Sequence, residues 1–579
     1  MPGRRQRGGG PVRRRCAGLP RHGRFRRRTR PLLHDGHLLR LPGPHRRPAQ
    51  PAGLHGACAR WHDRGTPARR ARGGGMSIEI ATTTCDLLVV GAGPAGLAAA
   101  TEAAALGLST VLIDEQPAPG GQIYRAISST PVQNRAILGE DYWHGLSLLE
   151  PFARSGARHL PAATVWSVNT LDAQPGTEGD GDGDTDTDGR AAGFEVAYSV
   201  AHPGQDPQAA LLHCRHIILA TGAQERPFPI PGWTLPGVIT AGAAQILLKT
   251  SGVVPEGRTV LAGGGPLLYL LAYQYLNAGV KLEAILETTD SAQWRKALPH
   301  AWGFLRSPYL GKGLKLLRAV RKAVPIVSGV TALEAIAGAG GQVAELRYQA
   351  AGQRHSMAID QLLLHQGVVP NTNLSRAIGA EHVWNERQDC WEPMVDAWGA
   401  TSMPHVSIAG DGAGIAGAVA AEHRGRIAAV HAAAALGRIG KATRDGKAAS
   451  HQAALARATR GREFFEVLYR PLPQFRRPVG DTIVCRCEEA TAEQVRHAAR
   501  IGCQGPNQLK AFLRCGMGPC QGRLCGLTVT ELIADEQQRH PRDVGYYRLR
   551  FPTKPVTLGE IATLPQTQAS RDAVVRFKK

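Results

Sequence analysis

Nowhere in its 579 residues does the sequence approach the ~18 consecutive apolar residues that a membrane-spanning helix needs, and no signal-peptide pattern precedes Met76. Those two absences lead us to expect a soluble, cytoplasmic protein with no transmembrane segment, membrane association through partners being the alternative. Acidic residues are almost missing from the first 75 positions, which hold 20 arginines, no lysine and only Asp35 and Asp63 as acids. Residues 76–579 then carry 49 basic and 45 acidic side chains, so most of the formal charge of +22 sits in the leading segment. The body is nearly neutral, and no nucleic-acid partner is expected. The leading segment also lacks any strand alternation or helical stripe, and it lacks the serines and amphipathic pattern of a transit peptide. Residues 1–75 are therefore expected to be a disordered or artefactual Arg-rich extension with the true start at Met76; a targeting segment or a basic arm is the alternative.

Cysteines are scarce and scattered over most of the chain (Cys16, Cys58, Cys85, Cys214, Cys390), but the other six of the eleven fall between 485 and 525. Such clustering in one short module favours a metal site over a disulfide framework.

The stretch CDLLVVGAGPAGLAAATEAAALGLSTVLIDEQPAPGGQIYR, residues 85–125, reads as strand, glycine turn, helix, strand. Gly91, Gly93 and Gly96, with Pro94 and Ala95 between them, fit a dinucleotide fingerprint: a tight turn, a close pyrophosphate approach and close helix–strand packing. The helix N-terminus receives the phosphates. The next strand ends at Asp114 and Glu115, where a carboxylate can accept from ribose hydroxyls. Residues 258–288, RTVLAGGGPLLYLLAYQYLNAGVKLEAILET, repeat the plan with Gly263 and Gly265 in place and Leu268 at the third glycine position; Glu287 ends its second strand. This second site is either a working nicotinamide or adenine-nucleotide site or a retained structural domain.

Ala220-Thr221-Gly222 after an apolar strand, and Gly410-Asp411 before an Ala/Gly-rich helix, resemble the ATG and GD motifs of two-dinucleotide-domain flavoproteins of the glutathione-reductase-like superfamily. QGVVPNTNL, with Gly367, Pro370 and Asn371, matches the strand by which such chains re-enter the first domain. The resemblance implies FAD at the first site, with Asp411 toward the ribityl chain and Gly121 and Gln122 beside the flavin. It also implies that Tyr124 and Arg125 shape the flavin's surroundings. The dithiol that disulfide reductases of this superfamily carry is missing from both domains, so thiol–disulfide chemistry is not expected.

CRCEE followed by GMGPCQGRLC resembles the bacterioferritin-associated-ferredoxin-like (BFD-like) [2Fe-2S] domain. Carried over position by position, this resemblance gives Cys485, Cys487, Cys520 and Cys525 as ligands, with Cys515 the alternative to Cys525 and Cys503 spare. EEATAEQVRHAARIG and NQLKAFLR read as two short helices between the cysteines.

Together these features lead to an α/β fold class: two Rossmann-like domains, the second inserted in the first, plus a small helical C-terminal domain. The expected layout is an FAD-binding domain over 76–255 and 356–445, an NAD(P)-binding-like domain over 256–355 and a helical linker over 446–479. A [2Fe-2S] domain over 480–545 and a tail over 546–579 follow. DEQPAPGGQIYR, ERPFPIPGWTLPGVITAGAAQ and the final module resemble the α or A-type flavin subunits of heteromeric amine and amino-acid dehydrogenases, of opine, proline or hydroxyproline type. The partners this resemblance implies are a D-amino-acid-oxidase-like β subunit and, further, a small ferredoxin-like subunit, with electrons leaving FAD through the cluster. A self-sufficient NAD(P)H-dependent flavin oxidoreductase and a non-catalytic iron–sulfur module are the alternatives.

Three other features have plain readings. Asp184, Asp186, Asp188, Gly189 and Glu195 satisfy an EF-hand spacing, but their flanks alternate like strands, so a hairpin loop is expected. His365 lies in an apolar strand and reads as a satisfied core histidine. Residues 307–324 are basic and amphipathic, either a solvated face or a surface meeting a partner or a membrane.

Overall fold

A computed structural model describes residues 83–171, 193–201, 204 and 206–565, and the backbone of 39–40. The Arg-rich leading segment and the acidic run at 184–189 lie otherwise outside the described residues.

The apolar run TTCDLLVV forms the strand Thr83–Val90, whose inner residues Leu87, Leu88 and Val89 are fully buried. Burial of this kind stabilises by about 1.5–3 kcal/mol per large aliphatic side chain. The strand pairs in parallel with Thr110–Ile113 on one side and Gln208–Leu219 on the other. Arg158–Leu160 extends the sheet, Val406–Ile408 joins Gln208–Leu219 in parallel, and Gly193–Val200 with Ala163–Leu171 add an antiparallel edge. These last two strands are the alternating flanks of the acidic run, so the hairpin expectation holds for the strands on either side of it.

A second sheet of five parallel strands runs in the order Ile326–Val327, Leu282–Glu287, Thr259–Gly264, Gln361–Gln366, Val238–Thr240. The antiparallel strands Val330–Ala337, Val343–Ala350 and Gln353–Ala358 are appended to it in sequence. Chain passage between the two sheets goes through a short antiparallel ladder of Ala223–Glu225 with Val368–Pro370. Gly222 and Asn371 bracket this ladder through the Asn371 N–H to Gly222 C=O bond at 3.0 Å. The layout is the mixed α/β, two-Rossmann architecture read from the sequence.

The helices Pro94–Ala105 and Ala418–Ala435 cross against each other so closely that a side chain on Gly425 would lie 2.1 Å from the Ala95 carbonyl oxygen. Their small residues permit that approach. Beyond them come the helices Lys441–Thr459 and Arg462–Leu468, then the cysteine module. It opens with Ile483–Cys485 against Ala490–Thr491 and continues with the helices Ala492–Arg500, Pro506–Leu513 and Gly526–Glu536. Thr491 caps the first of these helices with a reciprocal Gln494 bond, a capping box written as T-x-x-Q. Residues 546–565 pack onto the rest. The Tyr547 ring lies over Gly516 and Gly522, and Thr553 donates to the Trp166 carbonyl.

Candidate functional site

The first glycine turn sits where Thr83–Val90 hands over to the helix Pro94–Ala105. Gly91 has φ +108°, and a Cβ there would meet the Ala220 carbonyl oxygen at 2.5 Å. A Cβ on Gly96 would lie 1.7 Å from the Gly91 carbonyl oxygen, so both positions exclude any other residue. Gly93 differs: its backbone is extended, and a methyl placed on it would face only Gly121 Cα, at 3.8 Å. It therefore leaves open space over the helix N-terminus formed by Pro94 and Ala95. That space is the fit a pyrophosphate needs, with helix N–H groups aimed at it.

Asp114 takes the end of the second strand and is nearly buried. Its Oδ2 accepts from the Ala92 N–H at 2.5 Å and its Oδ1 from the Gln116 N–H at 2.6 Å. Burial pushes its carboxyl upward despite these bonds. The carboxylate thus braces the glycine turn as well as lying at the ribose position read from the sequence. Glu115 points outward and pairs with Lys554 at 2.6 Å. Gly121 packs on Gly93, and the buried Arg125 Nε has no hydrogen-bond partner among the described residues. An orphaned cationic donor beside an open glycine cradle fits an anionic dinucleotide.

On the far side, Thr221 and Gly222 close the strand Gln208–Leu219, and Thr221 Oγ1 reaches the Asn371 carbonyl at 3.5 Å. Asp411 Oδ1 accepts from Ala416 and Gly417 N–H at 2.8 and 2.9 Å, capping the approach to the helix Ala418–Ala435. Gly410 packs on Ala95, and Arg424 donates to the Gly410 carbonyl at 3.1 Å. The fingerprint, the ATG strand and the GD turn are thereby gathered at one end of one sheet.

One residue here carries no sequence signal. Lys249, on the helix Ala241–Ser251, is buried, donating to the carbonyls of Gln122 at 3.2 Å and Ile123 at 2.9 Å and to Gln245 Oε1 at 2.9 Å. Burial, with Arg125 nearby, pulls its ammonium down to about 7. The relay continues from Gln245 to Gln274 and on to the Leu138 carbonyl, tying the two dinucleotide domains together under Gln122.

The second glycine turn is more closed. Gly263 approaches the His365 carbonyl so closely that a Cβ would be 1.7 Å from it, and Gly265 faces the His365 ring. Leu268 is fully buried where a third glycine would stand. Glu287, at the strand end that matches Asp114 in the first turn, already accepts from Tyr269 at 2.7 Å and Ser328 at 2.8 Å, and Tyr469 from the linker reaches over Gly264. His365 is buried and satisfied as expected, but by a partner the sequence did not disclose: Glu225 Oε1, 2.6 Å from Nδ1, whose other oxygen accepts from the Gly242 N–H.

Among the described residues no redox dithiol accompanies either turn. Cys85 and Cys214 are cross-strand neighbours at the opposite end of the first sheet, and burial pushes the Cys85 thiol up to about 12. Such thiols are inert.

In the C-terminal module five cysteines converge in two groups. Cys487 lies against Cys520, while Cys515 and Cys525 both hydrogen-bond Cys485 and hold its thiol far below the ordinary value. Cys515 thus stands beside Cys485 together with Cys525, the two cysteines between which the resemblance leaves the fourth ligand open. Cys503 stands apart, its thiol on the Gly505 carbonyl. Among the described residues no three donors surround a single metal position. A binuclear iron–sulfur cluster asks for four thiolates shared over two irons, and this paired arrangement is compatible with it. Tyr547 adds its hydroxyl at 3.6 Å from the Cys525 sulfur.

The module is docked on the short ladder that connects the two sheets. Gln224 Nε2 donates to the Arg523 carbonyl at 2.7 Å, and Asn373 Nδ2 to the Gln521 carbonyl at 3.3 Å. Beside them Arg376 lies between the rings of Trp391 and Tyr546, 4.9 and 4.6 Å from their centroids, with Nε and Nη2 unpartnered.

Comparison with known proteins agrees with this geometry. The family described as Pyridine nucleotide-disulphide oxidoreductase matches residues 85–437, and the Sarcosine oxidase A3 domain matches residues 480–564. The A subunit of opine oxidase from Agrobacterium tumefaciens (strain Ach5) is 47% identical over 492 residues, 84% of this chain and 93% of that protein. Hydrogen cyanide synthase subunit HcnB of Pseudomonas aeruginosa is 32% identical over 492 residues, 82% of this chain and 98% of that one. Among solved structures, L-proline dehydrogenase from P. horikoshii shares the fold at a TM-score of 0.58 and 17% identity, over 83% of this chain and 80% of that chain. The chain therefore belongs to the pyridine nucleotide-disulphide oxidoreductase family, which implies FAD binding, and it continues into a sarcosine oxidase A3 domain.

Proposed function

We propose that this chain is the FAD- and [2Fe-2S]-carrying subunit of a heteromeric amine or amino-acid dehydrogenase of opine, proline or hydroxyproline type. In this role FAD and the cluster supply one- and two-electron chemistry, conveying electrons from amine oxidation at a partner subunit to an acceptor. Gly91, Gly93, Pro94, Ala95 and Gly96 with Gly121 and Gln122 hold the dinucleotide. Asp114, Thr221, Gly222, Gly410 and Asp411 complete the seat, and Glu115 stays at its solvent edge. Cys485, Cys487, Cys520 and Cys525 hold the cluster.

The observation that carries the reading is the docking of the cysteine loop on the short ladder that follows the Thr221–Gly222 turn. Gln224 stands two residues after Gly222, and its side chain is bonded to Arg523, three residues after Cys520. Asn373 repeats the arrangement from the neighbouring strand end to Gln521. Two redox sites built on rigid elements and bonded to each other suit electron transfer. The second glycine turn, with its acid and its third glycine position already taken, supports a structural domain over a nicotinamide site. The likeness to the opine oxidase A subunit, and to hydrogen cyanide synthase subunit HcnB, supports a partner-dependent enzyme. The partners proposed are a D-amino-acid-oxidase-like β subunit and, further, a small ferredoxin-like subunit.

Purification alone and after co-expression with such a β subunit tests this. Oxidation of octopine, nopaline, proline or hydroxyproline is expected only with the partner present. Amine oxidation by the chain alone, or NADH-driven flavin reduction without a partner, contradicts it.

A further inference from the structure

The helical run from Ser291 to Leu305 passes through Ser291–Ala297, Leu298–His300 and Ala301–Leu305, and the residues joining these pieces keep right-handed helical backbone. Along it Trp294, Leu298, Trp302 and Leu305 follow one another at spacings of four, four and three, which places them on one face. That face is not buried: their exposures are 46, 62, 63 and 53%. The other side is anchored, with Ala297 buried and Phe304 stacked on Phe464 at 4.7 Å, a ring that Trp294 also meets edge-on at 6.1 Å. The following helix, Tyr309–Ala323, buries Val320 and leaves Leu314 60% exposed.

Charge on this segment is of one sign. Residues 291–324 hold eight basic side chains, Arg295, Lys296, Arg306, Lys312, Lys315, Arg318, Arg321 and Lys322, and no acidic one. The rest of residues 76–579 has 41 basic and 45 acidic side chains, so this short stretch outweighs the opposite balance of the remaining body. All eight are exposed. Arg306 lies over the Trp302 ring at 4.2 Å, and Lys312 pairs with Asp141.

We propose that residues 291–324 form an interfacial membrane-docking surface for anionic lipid, with the Trp294–Leu305 face entering the headgroup region and the flanking lysines and arginines meeting lipid phosphates. Tryptophan and leucine on one side with lysine and arginine around them is the composition of a helix lying in a lipid interface. Tryptophan and arginine also suit a protein interface, but such interfaces are depleted of lysine; four lysines, with no acidic side chain in residues 291–324, favour anionic lipid over a partner protein. A surface potential of anionic lipid attracts such a cluster and falls off within a Debye length. No helix among the described residues is long and apolar enough to cross a membrane, so the attachment is lateral.

The Arg-rich leading segment would itself bring the full chain to anionic vesicles, so sedimentation alone does not decide the matter. The deciding readout is quenching of tryptophan emission by bromine-substituted acyl chains in phosphatidylcholine–phosphatidylglycerol vesicles, measured on the full chain. Quenching is expected in anionic vesicles and not in pure phosphatidylcholine. It should fall at least threefold in Leu298→Ser/Trp302→Ser and in Lys312→Glu/Lys315→Glu/Arg318→Glu, all at exposed positions. Absence of quenching, or equal quenching in these variants, overturns the proposal. So does loss of a co-purified partner protein in Leu298→Ser/Trp302→Ser without any quenching in the parent chain, which would assign the face to a protein.

Discussion

Gln224 donates its side-chain N–H to the Arg523 carbonyl at 2.7 Å across 299 residues of sequence, joining the short strand that follows the Thr221–Gly222 turn to the loop that holds Cys520 and Cys525. A buried or half-buried bond of this kind contributes about 0.5–1.5 kcal/mol. Gln224→Ala with Asn373→Ala should therefore cost about 1–3 kcal/mol in docking without unfolding either part. The expected outcome is slower cluster reduction by the reduced flavin in stopped-flow traces, with flavin content unchanged. Unchanged rates would show that the docking bonds do not set the redox contact.

The glycine turn gives a sharper test. Gly93→Ala meets nothing closer than Gly121 Cα at 3.8 Å, so thermal stability of the flavin-free chain should match the parent. The methyl occupies the space assigned to the pyrophosphate, so FAD affinity should fall at least tenfold by fluorescence titration. Gly96→Ala, set 1.7 Å from the Gly91 carbonyl oxygen, should instead destabilise the chain itself by about 1–3 kcal/mol or more. Equal FAD affinity in Gly93→Ala would place the dinucleotide elsewhere.

Lys249 gives a pH dependence with a definite sign. Its ammonium is drawn down to about 7 in the folded chain from an ordinary 10.5. Between those values the unfolded chain holds a proton that the folded chain has released, so stability rises with pH across the window. Below about 7 both states are protonated and this group adds no slope. The slope is at most about 1.4 kcal/mol per pH unit. Buried Cys85 and Cys390, both pushed up to about 12, act oppositely once free thiols ionise near 9, so pH 7 to 8.5 is the useful range. In Lys249→Met this rise should be absent, so the stability-versus-pH curves of variant and parent should diverge across this range. A parallel pair of curves would mean that the lysine stays charged.

The glycine turns were legible because each depends on residue type at a fixed place. Gly91 and Gly96 have no substitute where a carbonyl oxygen fills the Cβ position, and Asp114 stands at the strand end that the spacing predicts. Cys485 likewise falls at the end of a short strand entering its loop, as read. What the sequence hid are partners brought together by the fold. Lys249 meets Gln122 across 127 residues, His365 meets Glu225 across 140, and Arg376 meets Trp391 and Tyr546 from three separate segments. No local pattern marks such pairs, because their spacing is set by two sheets folding against each other and not by any helical or strand period. Tyr546 and Tyr547, at the start of the tail read over 546–579, pack into the cysteine module, and only the tertiary structure reveals that contact.

Cys515 is the residue on which spacing and structure pull in different directions. The resemblance assigns Cys520 and Cys525 as the later ligands, while Cys515 sits beside Cys485 together with Cys525. Cys515→Ser should retain the visible spectrum of a [2Fe-2S] cluster, and Cys525→Ser should lose it. The reverse pattern would make Cys515 the fourth ligand.

Flavin, iron and acid-labile sulfide counted per chain, in protein purified anaerobically, bear on the whole proposal at once. About one FAD, two irons and two sulfides are expected, with iron and sulfide lost together in Cys525→Ser while flavin stays bound. Flavin without iron, or iron without flavin, in the unmodified chain would contradict the assignment of both redox sites to this protein.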